Sequence, residues 1–317
     1  MEWKARRIHV QIALTETDTE TSTAMPSAKK KKHRFTGLYF VLPLLLLVSV
    51  FTFFGIFYNI YIGMFEWSGI GSKTFIGFAN YVTIFSTAEF YEALGHTGYF
   101  LLITIPASMI LGLLLATLLN GVWKGEGLFK SIFFLPHVIA VVTIGTTFAG
   151  IYEPNFGLLN EMLRGLGLSS WAKSWLSEPA TALNAIAAVY IFANTGFYML
   201  IYYTSLLNID QEICEAAKID GANVIRQFRH IIFPMLSGTH ITLAILGIIH
   251  ALKVFDLVWI MTEGGPGGAT ELISTYLFRE SLLKYNTGYS GAVSVVLLLI
   301  AFGYTAFQLR MYNKLRR

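Results

Sequence analysis

Three ionisable residues, His250, Lys253 and Asp256, recur at intervals of three within an otherwise apolar stretch of the sequence. On one helix this spacing places their side chains near one another along a single face. Because charges inside a membrane are costly, such side chains usually face a partner or an aqueous cavity. Two interpretations are open: Lys253 and Asp256 satisfy one another or extend outward, or all three residues line the path of a polar solute. Asn194, in another apolar stretch, is a weaker candidate for the same path.

A long polar segment, residues 208–236, is the second feature with a functional pattern. Its first half favours a helix, with Asp210 as the N-cap and Gly221 providing the left-handed backbone at the end. Its second half predicts another short helix with one apolar stripe, which Pro234 ends before the next apolar stretch. The stripe comprises Val224, Ile225, Phe228, Ile231 and Ile232. We interpret this helix-turn-helix, called the polar loop below, as an element that receives force from a soluble partner.

The sequence predicts no catalytic residue, metal site or cofactor in this chain. A phosphate-binding loop needs the pattern G-x-x-x-x-G-K-[ST], and the glycine-rich residues 264–270 lack its lysine. The seven His and one Cys show neither CxxC nor HExxH spacing. We expect His137 to hydrogen-bond a backbone carbonyl that Pro136 leaves free, and Cys214 to be a small helix residue.

The elements that position these residues are predicted to be membrane helices. The chain of 317 residues is 55% hydrophobic and only 13% charged, which is too little polar surface to cover a soluble protein. Six apolar stretches reach the roughly 20 residues that a helix needs to cross a bilayer. They are residues 35–65, 99–119, 132–152, 182–207, 238–261 and 289–311. The predicted fold is therefore an all-α membrane protein with six transmembrane helices.

The basic residues predict the orientation of these helices. Most of the 23 Lys and Arg residues fall on the side that holds both termini, and basic residues near span ends are retained in the cytoplasm. Both termini and the polar loop are therefore predicted to be cytoplasmic. The domain prediction is a disordered basic tail at 1–34, a membrane domain at 35–312 and a short basic tail at 313–317. The basic run 29–32 is interpreted as an orientation signal beside lipid, and no nucleic-acid partner is expected.

The polar loop closely resembles the signature of the permease subunits of binding-protein-dependent ABC importers. That signature reads EAA, three residues, G, nine residues, I, one residue, then LP. It corresponds here to Glu215-Ala216-Ala217, Gly221, Ile231 and Phe233-Pro234, so Phe233 replaces leucine. Asp210 also departs from the family, which commonly has proline there. Further segments resemble the carbohydrate branch, in order: 75–81, 133–136, 156–160 and 255–266.

The resemblance implies a type I importer permease fold in the bacterial cytoplasmic (inner) membrane. It implies three protein partners: ATP-binding cassette ATPase subunits that bind the ATP and Mg, a second permease subunit, and an extracytoplasmic solute-binding protein. The polar loop would couple this chain to the ATPase. The coupling residues implied are Glu215, Ala216, Ala217, Asp220, Gly221, Ala222, Phe228 and Pro234. The substrate implied is a neutral or acidic saccharide.

Other functions are open from the residues. An ion-driven secondary transporter would use Asp256 and the histidines, although the sequence shows no obvious inverted repeat and the polar loop would then lack a purpose. A receptor or scaffold would not need charges within a span. Within the importer family, a non-sugar solute such as glycerol phosphate is the alternative substrate, because Lys253 and His250 suit an anion.

Overall fold

The computed structural model describes residues 36–121 and 125–315. The predicted tail at 1–34 lies outside these residues. The described chain divides into two units, of which the first ends at Phe53. In the first unit, helix α1 (Thr36–Val48) continues into a π-helical turn (Ser49–Phe53). Every side chain from residue 39 to residue 53 is exposed.

The second unit begins at Phe54 and is almost entirely helical. Its helices are α2 (Phe54–Ile62), α3 (Ala79–Ser86), α4 (Ala88–Leu119), α5 (Glu126–Val138), α6 (Val141–Ile151), α7 (Leu158–Gly165), α8 (Pro179–Leu207), α9 (Gln211–Ile219), α10 (Val224–Met235), α11 (Ser237–Leu252), α12 (Asp256–Thr262), α13 (Ile273–Phe278) and α14 (Thr287–Leu315). A short antiparallel hairpin, β1 (Phe65–Glu66) with β2 (Thr74–Phe75), was not expected from the sequence.

Within residues 36–121 and 125–315, four helical segments are long and apolar enough to cross a membrane, and two bent pairs raise this number to as many as six. The four are Tyr39–Ile62, α4, α8 and Thr287–Ala306. The bent pairs are α5 with α6, at 91°, and α10 with α11, at 63°. The chain is therefore a multi-pass helical membrane protein. Helix α4 begins at Ala88, so it contains the second predicted stretch, 99–119, and extends beyond the start of that stretch.

Two of the predicted spans are not continuous helices. The stretch 132–152 is interrupted at Ile139 and Ala140, where the backbone is extended. The stretch 238–261 is also interrupted, because α11 ends at Leu252 and α12 begins only at Asp256. The prediction that His250, Lys253 and Asp256 share one helix face is therefore wrong.

Helix α8 lies at the centre of the second unit and contributes to two of its clusters of buried apolar side chains. One cluster contains Tyr190 with Phe100 of α4, and the other contains Tyr202 with Leu243 of α11. Gly196 allows the closest approach of α5 to α8, since a Cβ at this position would lie 2.0 Å from the carbonyl oxygen of Phe133. The backbone of α5 is thus held directly against α8.

Candidate functional site

A cavity of about 230 Å³ lies where both interrupted stretches meet α8. All four residues predicted for a solute path line it: Asn194, His250, Lys253 and Asp256. His137, at the end of α5, lines it too. The structure thus brings the predicted polar residues together, although it does so through helix breaks rather than through one helix face.

Particular residues and bonds accompany each of the two helix breaks. Helix α5 ends at Val138, two residues after Pro136, and α6 leaves at 91°. Proline removes a backbone donor and clashes with the preceding turn, which favours a bend there. At the second break the Ser274 hydroxyl donates a hydrogen bond to the carbonyl oxygen of Val254. This carbonyl, which lies outside any helix, therefore has a partner from another part of the chain.

The cavity offers both charged and neutral polar groups. The Asn194 amide nitrogen donates to the Tyr190 carbonyl at 2.9 Å, so its side-chain oxygen remains to accept a further hydrogen bond. The Phe197 ring lies near both imidazoles, with ring centroids 5.0 Å from His137 and 6.2 Å from His250, but the aromatic rings that line the cavity itself are those of Tyr190 and Phe255. An aromatic face with hydrogen-bonding groups around it suits a hydroxylated or charged solute.

Lys253 and Asp256 do not form an ion pair with each other. Within the described residues the ion pairs are Lys130–Glu126, Arg279–Glu271 and Lys284–Glu280. Both Lys253 and Asp256 are exposed on the cavity side of the break. Lys253 follows the C-terminus of α11 and Asp256 opens α12, so each charge lies at the helix end whose partial charge is opposite. The interpretation of a self-satisfied pair is therefore wrong.

The polar loop folds as the predicted helix-turn-helix. The Asp210 carboxylate accepts the Glu212 N–H at 3.0 Å, which confirms the predicted N-cap of α9. At the other end Gly221 has a φ of 79°, which confirms the left-handed C-terminal residue. The N–H of Ala222 donates to the Ala217 carbonyl at 2.9 Å, and the N–H of Gly221 donates to the Lys218 carbonyl at 3.1 Å. These two bonds form a Schellman motif and give the turn one defined geometry.

The exposed surface of the polar loop combines charge with apolar side chains. Of the predicted coupling residues, Ala217, Ala222 and Phe228 are half-buried, and the exposed ones are Glu215, Ala216, Asp220, Gly221 and Pro234. Ile219 is 87% exposed, which sequence reasoning missed. Val224 and Ile225 are 79% and 76% exposed, so this part of the predicted apolar stripe is not buried within the chain.

The rest of the predicted stripe packs inward. Phe228 and Ile232 contact the cluster around Tyr202, and Ile231 is half-buried. Gln227, which no sequence pattern singled out, is buried and donates to the Ala222 carbonyl at 3.1 Å. Helix α10 continues past Pro234 to Met235, so the break follows this proline by two residues.

Residues 90–317 match the family described as binding-protein-dependent transport system inner membrane component. The chain is 34% identical over 277 residues to the probable ABC transporter permease protein YurN of Bacillus subtilis (strain 168), covering 86% of this chain and 94% of that protein. It is 32% identical over 289 residues to the trehalose/maltose transport system permease protein MalF of Thermococcus litoralis, covering 90% and 96%. It also resembles a chain of a bacterial alginate ABC transporter in complex with alginate pentasaccharide-bound periplasmic protein, with a TM-score of 0.78, 22% identity and coverage of 89% and 96%.

Proposed function

Since the chain belongs to the family of inner membrane components of binding-protein-dependent transport systems, we propose that it forms the path of a saccharide through an ATP-driven importer. The cavity at the two helix breaks binds the solute during its passage. The polar loop connects the chain to a separate ATPase subunit, which binds and hydrolyses the ATP with Mg. The observation that carries the proposal concerns helices α8 and α11. Both helices line the polar cavity, and the exposed polar loop is the segment that connects them.

The substrate class rests on the cavity and on the relatives. An aromatic ring beside imidazole, amide and charged groups suits the alternating apolar and hydroxylated faces of a sugar. The Thermococcus relative is named for trehalose and maltose, and the similar transporter structure for alginate, an acidic polysaccharide. Lys253 is exposed and unpaired with Asp256, which favours a solute that carries a carboxylate or another anionic group.

The coupling role rests on the polar loop. Its turn is fixed by a Schellman motif, so a force on α9 moves the turn and α10 with it. Three of its apolar side chains, Ile219, Val224 and Ile225, are at least three-quarters exposed. Such a group beside the charge of Glu215 suits a protein interface whose core is apolar and whose rim is polar.

The orientation and the partners are part of the same proposal. We place the chain in a bacterial inner membrane. Both termini and the polar loop face the cytoplasm in this proposal, since most of the basic residues fall on the side that holds them and basic residues near span ends are retained in the cytoplasm. A second permease subunit completes the path. An extracytoplasmic solute-binding protein delivers the solute to the opposite face.

Reconstitution in lipid vesicles tests this function. The full chain is incorporated with its ATPase, second permease and binding-protein partners, and uptake of maltose, trehalose and alginate pentasaccharide is measured. We expect uptake of a saccharide that requires ATP, and none when the ATPase subunit is omitted. Accumulation driven by a proton or sodium gradient in vesicles that contain this chain alone would contradict the proposal and favour a secondary transporter.

A further inference from the structure

Side chains from three helices meet at His240, in the first turns of α11. The Tyr202 hydroxyl of α8 lies 2.7 Å from His240 Nδ1. The Phe233 carbonyl oxygen of α10 lies 3.2 Å from His240 Nε2. The aromatic rings also contact one another, with centroids 4.5 Å apart for Phe233 and His240 and 5.3 Å apart for Tyr202 and His240. These three residues are called the hinge contact below.

The two hydrogen bonds determine the form of the imidazole. A carbonyl oxygen can only accept, so Nε2 of His240 carries the proton and donates to Phe233. In the neutral ring Nδ1 is then an acceptor, and the Tyr202 hydroxyl donates to it. Both ring nitrogens of His240 are therefore used, one toward α10 and one toward α8.

The hinge contact lies at the bend between the polar loop and the fifth predicted span. Helix α10 ends at Met235, α11 begins at Ser237, and their axes differ by 63°. The last carbonyls of a helix have no partner within it, and His240 supplies a donor for one of them. The angle at this bend is thus held in part by a side chain.

The other end of the hinge contact is anchored in the core. Tyr202 is 1% exposed and packs in one cluster with Leu236 and Leu243. One residue before His240, the Thr239 hydroxyl donates to the Ser205 hydroxyl at 2.9 Å. The start of α11 is therefore held on α8 at two neighbouring points, and His240 extends this attachment to α10.

We propose that His240 is a positioning residue that fixes the angle between α10 and α11, so that movement of the polar loop carries α8 and α11 with it. Without this contact the bend at Leu236 would absorb the movement. The inference rests on the proposed coupling role of the polar loop and adds the residue that transmits the force. Phe233, where the chain departs from the leucine of the family signature, contributes a ring that contacts the imidazole at a centroid distance of 4.5 Å.

Spin labels on either side of the bend test this inference in the complete transporter in lipid vesicles. In a Cys214→Ala background, Arg229→Cys on α10 and Thr242→Cys on α11 place labels at two exposed positions. The distance distribution is recorded without nucleotide and with MgATP plus vanadate. We expect this doubly labelled protein, called the parent in this experiment, to show the same narrow distribution of label distances in both conditions, because the two helices move as one body.

Two variants remove parts of the hinge contact while retaining a ring at each position. In Tyr202→Phe we expect the population outside the main distance peak to rise about fivefold, as for the loss of one net hydrogen bond of about 1 kcal/mol. His240→Phe loses both bonds and should broaden the distribution further and make it respond to nucleotide. Because the Tyr202 bond acts through His240, the double variant should match His240→Phe alone. Thr204→Val is the matched control, since its hydroxyl donates only to Ile201 of the same helix in the structure.

The outcomes separate this inference from the proposed function. Parent-like distributions in both variants, or additive effects in the double variant, would refute the role of His240. A parent whose label distance itself changes with nucleotide would also refute it, because the bend would then be flexible. Failure of the ATPase to bind the parent would instead refute the proposed function, and the nucleotide-free comparison of parent and variants would still decide the inference.

Discussion

Gly221→Ala changes the backbone energy of the turn between α9 and α10 without adding a steric contact. The φ of Gly221 is 79°, in the left-handed region, and no atom lies within 4 Å of a Cβ built there. Holding a residue with a Cβ in this conformation costs roughly 1–2 kcal/mol. The substitution therefore tests the geometry of the turn alone, since exposed surface and charge stay almost the same.

This cost should appear in the affinity for the ATPase if docking requires the formed turn. A loss of one or two kcal/mol corresponds to a weakening of about 5- to 30-fold. The assay is binding of the ATPase subunit to the full chain in vesicles, at matched amounts of inserted protein, followed by ATP-driven uptake. Gly221→Pro should abolish both, because proline fixes φ near −65° and removes the N–H that donates to Lys218.

Two matched variants make this prediction specific. Gly221→Asn should lose less affinity than Gly221→Ala, because asparagine enters the left-handed region more readily. Gly238→Ala, at a helical glycine with open space around its Cβ, should bind as the parent does. Parent-like affinity of Gly221→Ala, or an equal loss in Gly238→Ala, would refute the reasoning about the turn.

Three further predictions concern the loop, the cavity and the core. Glu215→Lys should abolish uptake while the protein stays inserted, with Glu215→Gln intermediate; normal uptake by Glu215→Lys would count against coupling through this loop. Lys253→Ala and Asp256→Ala should change which saccharide is taken up while ATPase binding is kept, and Thr242→Ala, at an exposed position of α11, should change neither; unaltered saccharide selectivity in both cavity variants would remove them from the path. Gly196→Ala should lower the thermal unfolding midpoint in detergent by an amount equivalent to about 1–3 kcal/mol or more, because its Cβ would lie 2.0 Å from Phe133; a midpoint like that of Gly238→Ala would show that α5 and α8 separate without cost.

The caps of the polar loop could be predicted because they depend on local chemistry. An aspartate before a helix and a glycine after it act through bonds to backbone groups at most five residues away, as Asp210 and Gly221 do. The apolar stripe of α10 was predicted only in part. A stripe argument assumes a period of 3.6 residues, whereas residues 228–232 form a π-helical turn that shifts the phase. The shift applies to Ile231 and Ile232, whereas Val224 and Ile225 lie in the first turn of α10, before the π-helical turn, and are exposed.

The helix breaks could not be predicted from hydropathy. Ile139, Ala140, Val254 and Phe255 are as apolar as the helices around them, so a window average counts them as part of a span. Pro136 is the one local sign, and it indicates a bend without giving its angle. The second break depends on contacts distant in sequence, such as the bond from Ser274 to the Val254 carbonyl.

The breaks themselves support the proposed solute path, independently of the charges beside them. In hydrocarbon every backbone N–H and C=O needs a partner, so non-helical backbone within a span is tolerated only where protein buries it or water reaches it. Two apolar stretches of this chain are interrupted, and both interruptions lie on one cavity that also contains Asn194 and His250. A continuous helix over 238–261 would have satisfied the backbone internally and kept Lys253 and Asp256 within reach of one another. The chain instead separates these two charges and opens both toward the cavity, which is the arrangement expected where a polar solute must replace water.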